Sequence, residues 1–252
     1  MSNSGWIEGK VTECRRWTDT LFSLRVEAEA IAFEAGQFVK LALPLDGEMI
    51  GRPYSFVNAP DERTYEFYCV IVPEGPLSAR LAALAPGDAV YLASRPAGFL
   101  VLSEIPDAES LWLLCTGTGI GPFLSILKTS QPWRRFRHIV LVHGARHCNE
   151  LTYRDTVAAI SAAHPVQFRS IGFVSRDPLP DLPAMLAGRI PQAIADGRLQ
   201  QAAGIPLAAA SAQVMLCGNP AMVEETTEVL KAAGMKKHRR RSPGHITVEN
   251  YW

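Results

Sequence analysis

The chain has 252 residues, 48% of them hydrophobic and 20% charged, a globular composition with length for one large domain or two of ordinary size. Twenty-five basic residues balance 25 acidic ones, and the resulting formal charge of zero argues against nucleic acid as the main partner. Five cysteines, at 14, 69, 115, 148 and 217, form no C-x-x-C pair and are odd in number, which argues against a disulfide framework, an iron–sulfur cluster or a zinc site and fits a reducing compartment.

The opening MSNSGWIEGK has no apolar h-region, so no signal peptide is expected, and no apolar run reaches the length of a membrane span. The first hundred residues then read as short strands: WIEGKVTECRRW, LFSLRVEA, QFVKLAL, YSFVNAP and EFYCVIV, with Gly36, Gly47, Pro60 and Gly87 between or beside them. A helix is predicted at PLSARLAAL, apolar at helical spacing at Leu77, Leu81 and Leu84. GDAVYLASRPAGF reads as a last strand. Many strands and one helix predict an antiparallel β-barrel over residues 1–103.

The texture changes over residues 104–252. SLWLLCT is continuously apolar, as expected of a strand buried on both faces. Helix PFLSILKTS, strand HIVLVHGAR, helix LTYRDTVAAISAAH, strand VQFRSIGFVSR, the short strand VMLCG and helix PAMVEETTEVLKAAG follow. This alternation predicts a parallel α/β layer, and a two-domain β plus α/β chain as a whole.

CTGTGIGPFLSIL joins a buried strand to a helix. Gly117, Gly119 and Gly121 allow tight turns and close approach of a ligand, and the helix N-terminus offers free N–H groups to a phosphate. An ordinary strand-to-helix turn would read the same from three glycines alone. The next strand ends in Ala145 and Arg146, where the usual dinucleotide fingerprint has an acid. A cation there suits a phosphorylated ribose, which favours NADP over NAD. Ser175, Arg176 and Arg189 follow the same logic, although each arginine alone reads equally as a solvated side chain.

In this order GQF, RPYS, GTGIGP, HGAR, VSR, GRIP, LCGNPAMV and the terminal YW resemble the ferredoxin–NADP reductase family, its bacterial ferredoxin/flavodoxin–NADP reductase subclass above all, from the first strand to the last residue. The resemblance implies non-covalently bound FAD, NADP(H) as substrate, ferredoxin or flavodoxin as redox partner, and no metal. It also implies a cytoplasmic monomer that touches neither membrane nor nucleic acid. Arg52 would pair with the pyrophosphate, Tyr54 would cover the isoalloxazine, and Ser55 would reach the flavin N5 region, with Pro53 on the same strand. Tyr68, Cys69, Val70 and Ile71 would run along the flavin; Pro76, Leu77 and Ser78 would meet the pyrophosphate; Thr118 would reach the flavin from the glycine loop. Cys217 would sit near the nicotinamide C4. Without the other motifs, RPYS is also simply a strand with a surface arginine and a buried tyrosine.

Plant-type members carry a glutamate near the end of this cysteine's loop, and CGNP has none, which leaves open the proton path that acid serves there. Two alternatives remain: an NADPH-dependent flavin reductase or oxygenase reductase component, and a non-enzymatic electron-relay subunit. KKHRRRSPGH is either a solvated charge run or, through Arg239, Arg240 and Arg241, a docking patch for an acidic carrier. Trp252 either pins the tail or stacks on the adenine of FAD.

Overall fold

The computed structural model describes residues 5–178 and 184–250. The chain divides into two compact units. The first takes the residues up to Val101 together with Gly121–Thr129; the second takes Leu102–Ile120 and the chain from Ser130 onward.

The first unit holds β1 (Trp6–Arg16), β2 (Leu21–Ala28), β3 (Phe38–Leu45), β4 (Glu48–Ser55), β5 (Tyr65–Val70), α1 (Ser78–Leu81) and β6 (Ala89–Ala93). The sheet runs β4-β3-β6-β1-β2-β5 with antiparallel neighbours. Phe56, just past β4, bridges Phe67 in β5, and the Val57 N–H donates to the Glu66 carbonyl at 2.8 Å, so the two end strands curl together into a barrel. Val11, Phe22, Leu24, Leu41, Phe67 and Leu92 fill its interior. Each such side chain contributes about 1.5–3 kcal/mol on burial.

Two expectations for this unit shift. The strand expected over YSFVNAP lies earlier, at Glu48–Ser55, because Asp46 and Gly47 take positive φ (50° and 85°) and make a two-residue turn that sets Leu45 opposite Glu48. The helix expected over PLSARLAAL contracts to the single turn Ser78–Leu81; beyond it Ala83 and Leu84 donate to Arg80 and Leu81, the tighter i−3 pattern that ends a helix.

The second unit holds β7 (Ser110–Thr116), then α2 (Ile120–Leu127), whose residues from Gly121 on belong to the first unit, then α3 (Gln131–Arg135) and β8 (His138–Ala145). α4 (Arg154–Ala163), β9 (Phe168–Val174), β10 (Met185–Ala187), α5 (Ile190–Ala195) and α6 (Arg198–Ala203) follow. β11 (Ala212–Gly218), α7 (Pro220–Ala232) and β12 (Ile246–Asn250) complete it. The sheet is parallel throughout, in the order β10-β9-β8-β7-β11-β12. β7 is buried at every position but Thr116, as its unbroken apolar run predicts. Trp112, Leu114, Val140, Val142, Val214 and Leu216 build one face of the core, shared with Ile190 and Ile194 of α5 and Val223 and Leu230 of α7. Four strands are legible in this half of the sequence. The sheet has two more, β10 and β12, which are only three and five residues long. Among the described residues no helix is long and apolar enough to cross a membrane.

Candidate functional site

β4 is an end strand of the barrel, and its side chains alternate. Arg52 is exposed and Tyr54 half-buried, while Ser55 is buried. The Arg52 guanidinium donates to the Gly51 carbonyl at 2.9 Å and forms no ion pair among the described residues. Burial pushes the Tyr54 phenol well above its ordinary range, with Cys69 close enough to add to the effect and Arg52 opposing it. A cation beside a ring on an end strand fits a flat, anionic ligand such as FAD. Of the other residues expected at the flavin, Tyr68 is buried, and Cys69 and Leu77 turn their side chains into the barrel core, so those two can offer a ligand only main chain. Val70 and Ile71 are half-buried and Pro76 is exposed. The Ser78 hydroxyl accepts the Val72 N–H at 2.9 Å and so fixes the turn that leads into α1.

In the second unit the glycine loop leaves β7 as a short 3-10 turn, Gly117–Gly119, before α2. Its glycines serve different ends. Gly117 takes φ +54°, and among the described residues no atom beyond its own and its chain neighbours' lies within 4 Å of the place its Cβ would fill, which leaves room for a ligand. Gly119 has no such room: a Cβ there would stand 2.5 Å from the Cys217 carbonyl oxygen, so this glycine lets the loop press on the end of β11. Thr118 is buried between them. The His143 Nε2–H donates to the Gly117 carbonyl at 3.0 Å. Burial drives the pKa of this imidazole down to about 4, so it is neutral at pH 7 and carries its proton on the nitrogen that holds the loop. CGNP joins β11 to α7: Asn219 Oδ1 accepts the N–H groups of Ala221 and Met222 at 3.0 and 3.3 Å, and Pro220 takes the first helical position.

The cationic residues expected around a ribose phosphate lie along one edge of the sheet. Ala145 pairs with Val174, and Ala187 pairs with Val174 from the other side. Arg146, Ser175 with Arg176, and Arg189 therefore follow the C-terminal ends of three adjacent strands, the edge where open α/β sheets take ligands. β10, invisible in the sequence, brings Arg189 into this row. Arg176 is exposed and makes no ion pair among the described residues; Arg189 lies 3.9 Å from Glu225 of α7.

CGNP itself carries no acid, but another strand brings one to Cys217. β12 pairs with β11 so that Glu249 lies opposite Cys217. Among the described residues Glu249 Oε2 is buried without a hydrogen-bond partner, and desolvation raises the carboxyl pKa to about 7. Because the acid arrives on a separate strand, the motif around Cys217 could not reveal it. The available signal was the β-branched alternation of ITVEN.

In the basic stretch, Arg239 and Ser242 exchange main-chain hydrogen bonds at 3.1 and 2.8 Å, which makes a tight turn. Arg240, near its tip, is bound to the Glu104 carboxylate (Nε to Oε2, 2.9 Å), while Arg239 and Arg241 are exposed. Trp252 lies outside the described residues.

A β-barrel that presents Arg52 and Tyr54, in one chain with a parallel sheet whose strand ends carry a glycine turn and an arginine row, defines a flavin- and nicotinamide-dependent oxidoreductase. Residues 7–99 match the oxidoreductase FAD-binding domain and residues 113–228 the oxidoreductase NAD-binding domain. A flavodoxin/ferredoxin–NADP reductase of Shigella flexneri is 49% identical over 98% of this chain and 99% of its own. A ferredoxin–NADP reductase of Pseudomonas aeruginosa is 34% identical over 95% of each. Among solved structures, a ferredoxin NADP+ reductase from Neisseria gonorrhoeae with bound FAD and NADP superposes with a TM-score of 0.92, at 35% identity over 98% of this chain and 99% of that one. The chain belongs to the flavodoxin/ferredoxin–NADP reductase family.

Proposed function

We infer that this protein is an FAD-dependent reductase that moves electrons between NADPH and a one-electron carrier, ferredoxin or flavodoxin. The observation that carries the reading is the end-to-end similarity to reductases of that name, at 49% identity. When bound, FAD would supply the redox chemistry: acceptance of a hydride from NADPH and release of its electrons singly.

The chain's own residues supply binding, orientation and a proton store. The Arg52 guanidinium binds the cofactor's pyrophosphate, Tyr54 covers one face of the ring system, and Ser55 donates a hydrogen bond at the flavin edge. Gly117 lets the nucleotide approach the main chain, and His143 holds that peptide in place. Arg146, Ser175, Arg176 and Arg189 bind the 2′-phosphate, which makes NADPH the preferred nucleotide. Cys217 lines the nicotinamide position, and Glu249, its pKa raised to about 7 by desolvation, can take up or release a proton beside it near neutral pH. A carrier docks at the turn that bears Arg239 and Arg241. The protein works as a cytoplasmic monomer; its five cysteines, none of them in a disulfide, support the cytoplasmic part of this reading.

The test is the visible spectrum of the purified protein and a titration with NADPH in the absence of oxygen. The protein is expected to be yellow, to release FAD on heating, and to bleach with about one equivalent of NADPH. Arg176→Ala is expected to raise KM for NADPH by about ten-fold or more, since a charge-assisted bond contributes roughly 1.5–3 kcal/mol, and to leave NADH nearly untouched. A colourless protein that cannot be reconstituted with FAD ends this reading.

A further inference from the structure

Arg146 differs from its two neighbours in the arginine row by being tied down at both ends. Its Nη2 donates to Glu150 Oε1 at 2.9 Å. Its own main-chain N–H donates to the other oxygen, Oε2, at 2.9 Å, and the His147 N–H meets that same oxygen at 3.2 Å. One carboxylate thus fixes the start and the tip of a single side chain. The two partners are unequally placed: the Glu150 side chain is 13% exposed and the Arg146 side chain 59%. The carboxylate lies beneath, and the outer edge of the guanidinium faces solvent. A guanidinium has five donors, and this bond takes one, so the rest can meet an oxyanion.

The main chain here has its own supports. Asp177 Oδ2 accepts the Cys148 N–H at 2.6 Å, its Oδ1 lies 2.7 Å from His147 Nδ1, and the Arg176 N–H donates to the Arg146 carbonyl at 2.9 Å. The loop path therefore does not rest on Glu150 alone, whereas the Arg146 guanidinium bonds to no other side chain among the described residues. Desolvation opposes ionisation of Glu150, but the bonds from Arg146 and from the His147 and Arg146 N–H groups outweigh it and hold the carboxyl below its ordinary range.

We propose that Glu150 is a specificity-determining positioning residue, which holds Arg146 in the one orientation where its guanidinium meets the 2′-phosphate of NADP(H). An arginine fixed in advance loses less rotamer freedom when the phosphate arrives, and that gain is absent for NAD(H). The proposal rests on the reading of Arg146 as a phosphate ligand.

The experiment uses the FAD-loaded protein and four variants: Arg146→Ala, Glu150→Ala, Glu150→Gln and the Arg146→Ala/Glu150→Ala pair. NADP+ binding is measured by calorimetry, and KM for NADPH and NADH by turnover with ferricyanide. Glu150→Ala is expected to weaken NADP+ about five-fold and to move KM for NADH less than about two-fold. Glu150→Gln, which keeps an acceptor for Arg146, should recover most of the loss. In the double variant NADP+ binding should be no weaker than in Arg146→Ala alone, because the two act through one contact. If Arg146→Ala is selective for NADP+ while Glu150→Ala leaves NADP+ unchanged, tightens it, or weakens both nucleotides alike, the positioning role is wrong and the phosphate reading stands. If Arg146→Ala does not separate the two nucleotides, the phosphate reading of Arg146 fails and the proposal falls with it.

Discussion

Glu249 and Cys217 stand opposite each other in the parallel pairing of β12 with β11, which puts a half-buried acid beside the cysteine at the end of the sheet's CGNP strand. Its pKa, near 7 against an ordinary value of 4.5, carries a sign that can be tested. Between those two values the folded chain keeps a proton that the unfolded chain has released. Stability attributable to this group therefore falls as pH rises through that window, and the loss is complete above the folded pKa. Its size is on the order of 3 kcal/mol at most. Glu249→Gln lacks the term. Its thermal midpoint should match that of the parent near pH 5 and exceed it at pH 8, and any break near pH 7 in NADPH-driven turnover should vanish. Parallel pH profiles for the two proteins would remove Glu249 from the proton path.

Gly117 and Gly119 should respond very differently to a methyl group. Gly119→Ala drives a Cβ to 2.5 Å from the Cys217 oxygen and 2.7 Å from its carbonyl carbon, and neither main-chain atom can move alone. A loss of about 3 kcal/mol or more is expected. Gly117→Ala has open space and meets only the strain of φ +54°, about 1–2 kcal/mol. Chemical denaturation of both variants ranks them; the reverse order would mean that the loop does not lie against β11.

The paired state of Arg240 narrows the docking patch to its neighbours. Arg240→Gln breaks a surface pair with Glu104, should change stability little, and should do little to carrier reduction. Neutralising Arg239 and Arg241 together should slow reduction of ferredoxin or flavodoxin several-fold at low salt and flatten its salt dependence, since complementary charge mainly speeds encounter. Bleaching of the flavin by NADPH should be unaffected. Stopped-flow rates that do not change across the salt series would assign the charge run to solvation alone.

Removal of Trp252 tests the aromatic tail. If its ring stacks on adenine, truncation should weaken FAD by about 1–3 kcal/mol and leave FMN affinity alone, because FMN lacks the adenine. Reconstitution of the apoprotein with each flavin gives the comparison, and equal losses would refute stacking.

Local chemistry makes much of this protein legible in its sequence. The unbroken apolar run of β7 is the one expected of a strand covered on both faces. The glycines before α2 marked a tight strand-to-helix turn, and the change from short punctuated strands to strand–helix alternation separated barrel from parallel layer. What stayed hidden depends on partners distant in the chain. ITVEN is too short to announce a strand; it becomes one because β11 offers an unpaired edge and Ile246 and Val248 join the core. That pairing alone sets Glu249 against Cys217. β10 likewise exists by its pairing with β9, and only through it does Arg189 reach the row begun by Arg146 and Arg176. The reason that Gly119 must be a glycine lies across the sheet, at Cys217, where no local pattern could place it. Residue type and spacing determined which chemistry the chain carries, whereas sheet order, a long-range hydrogen-bonding outcome, decided which of those residues meet.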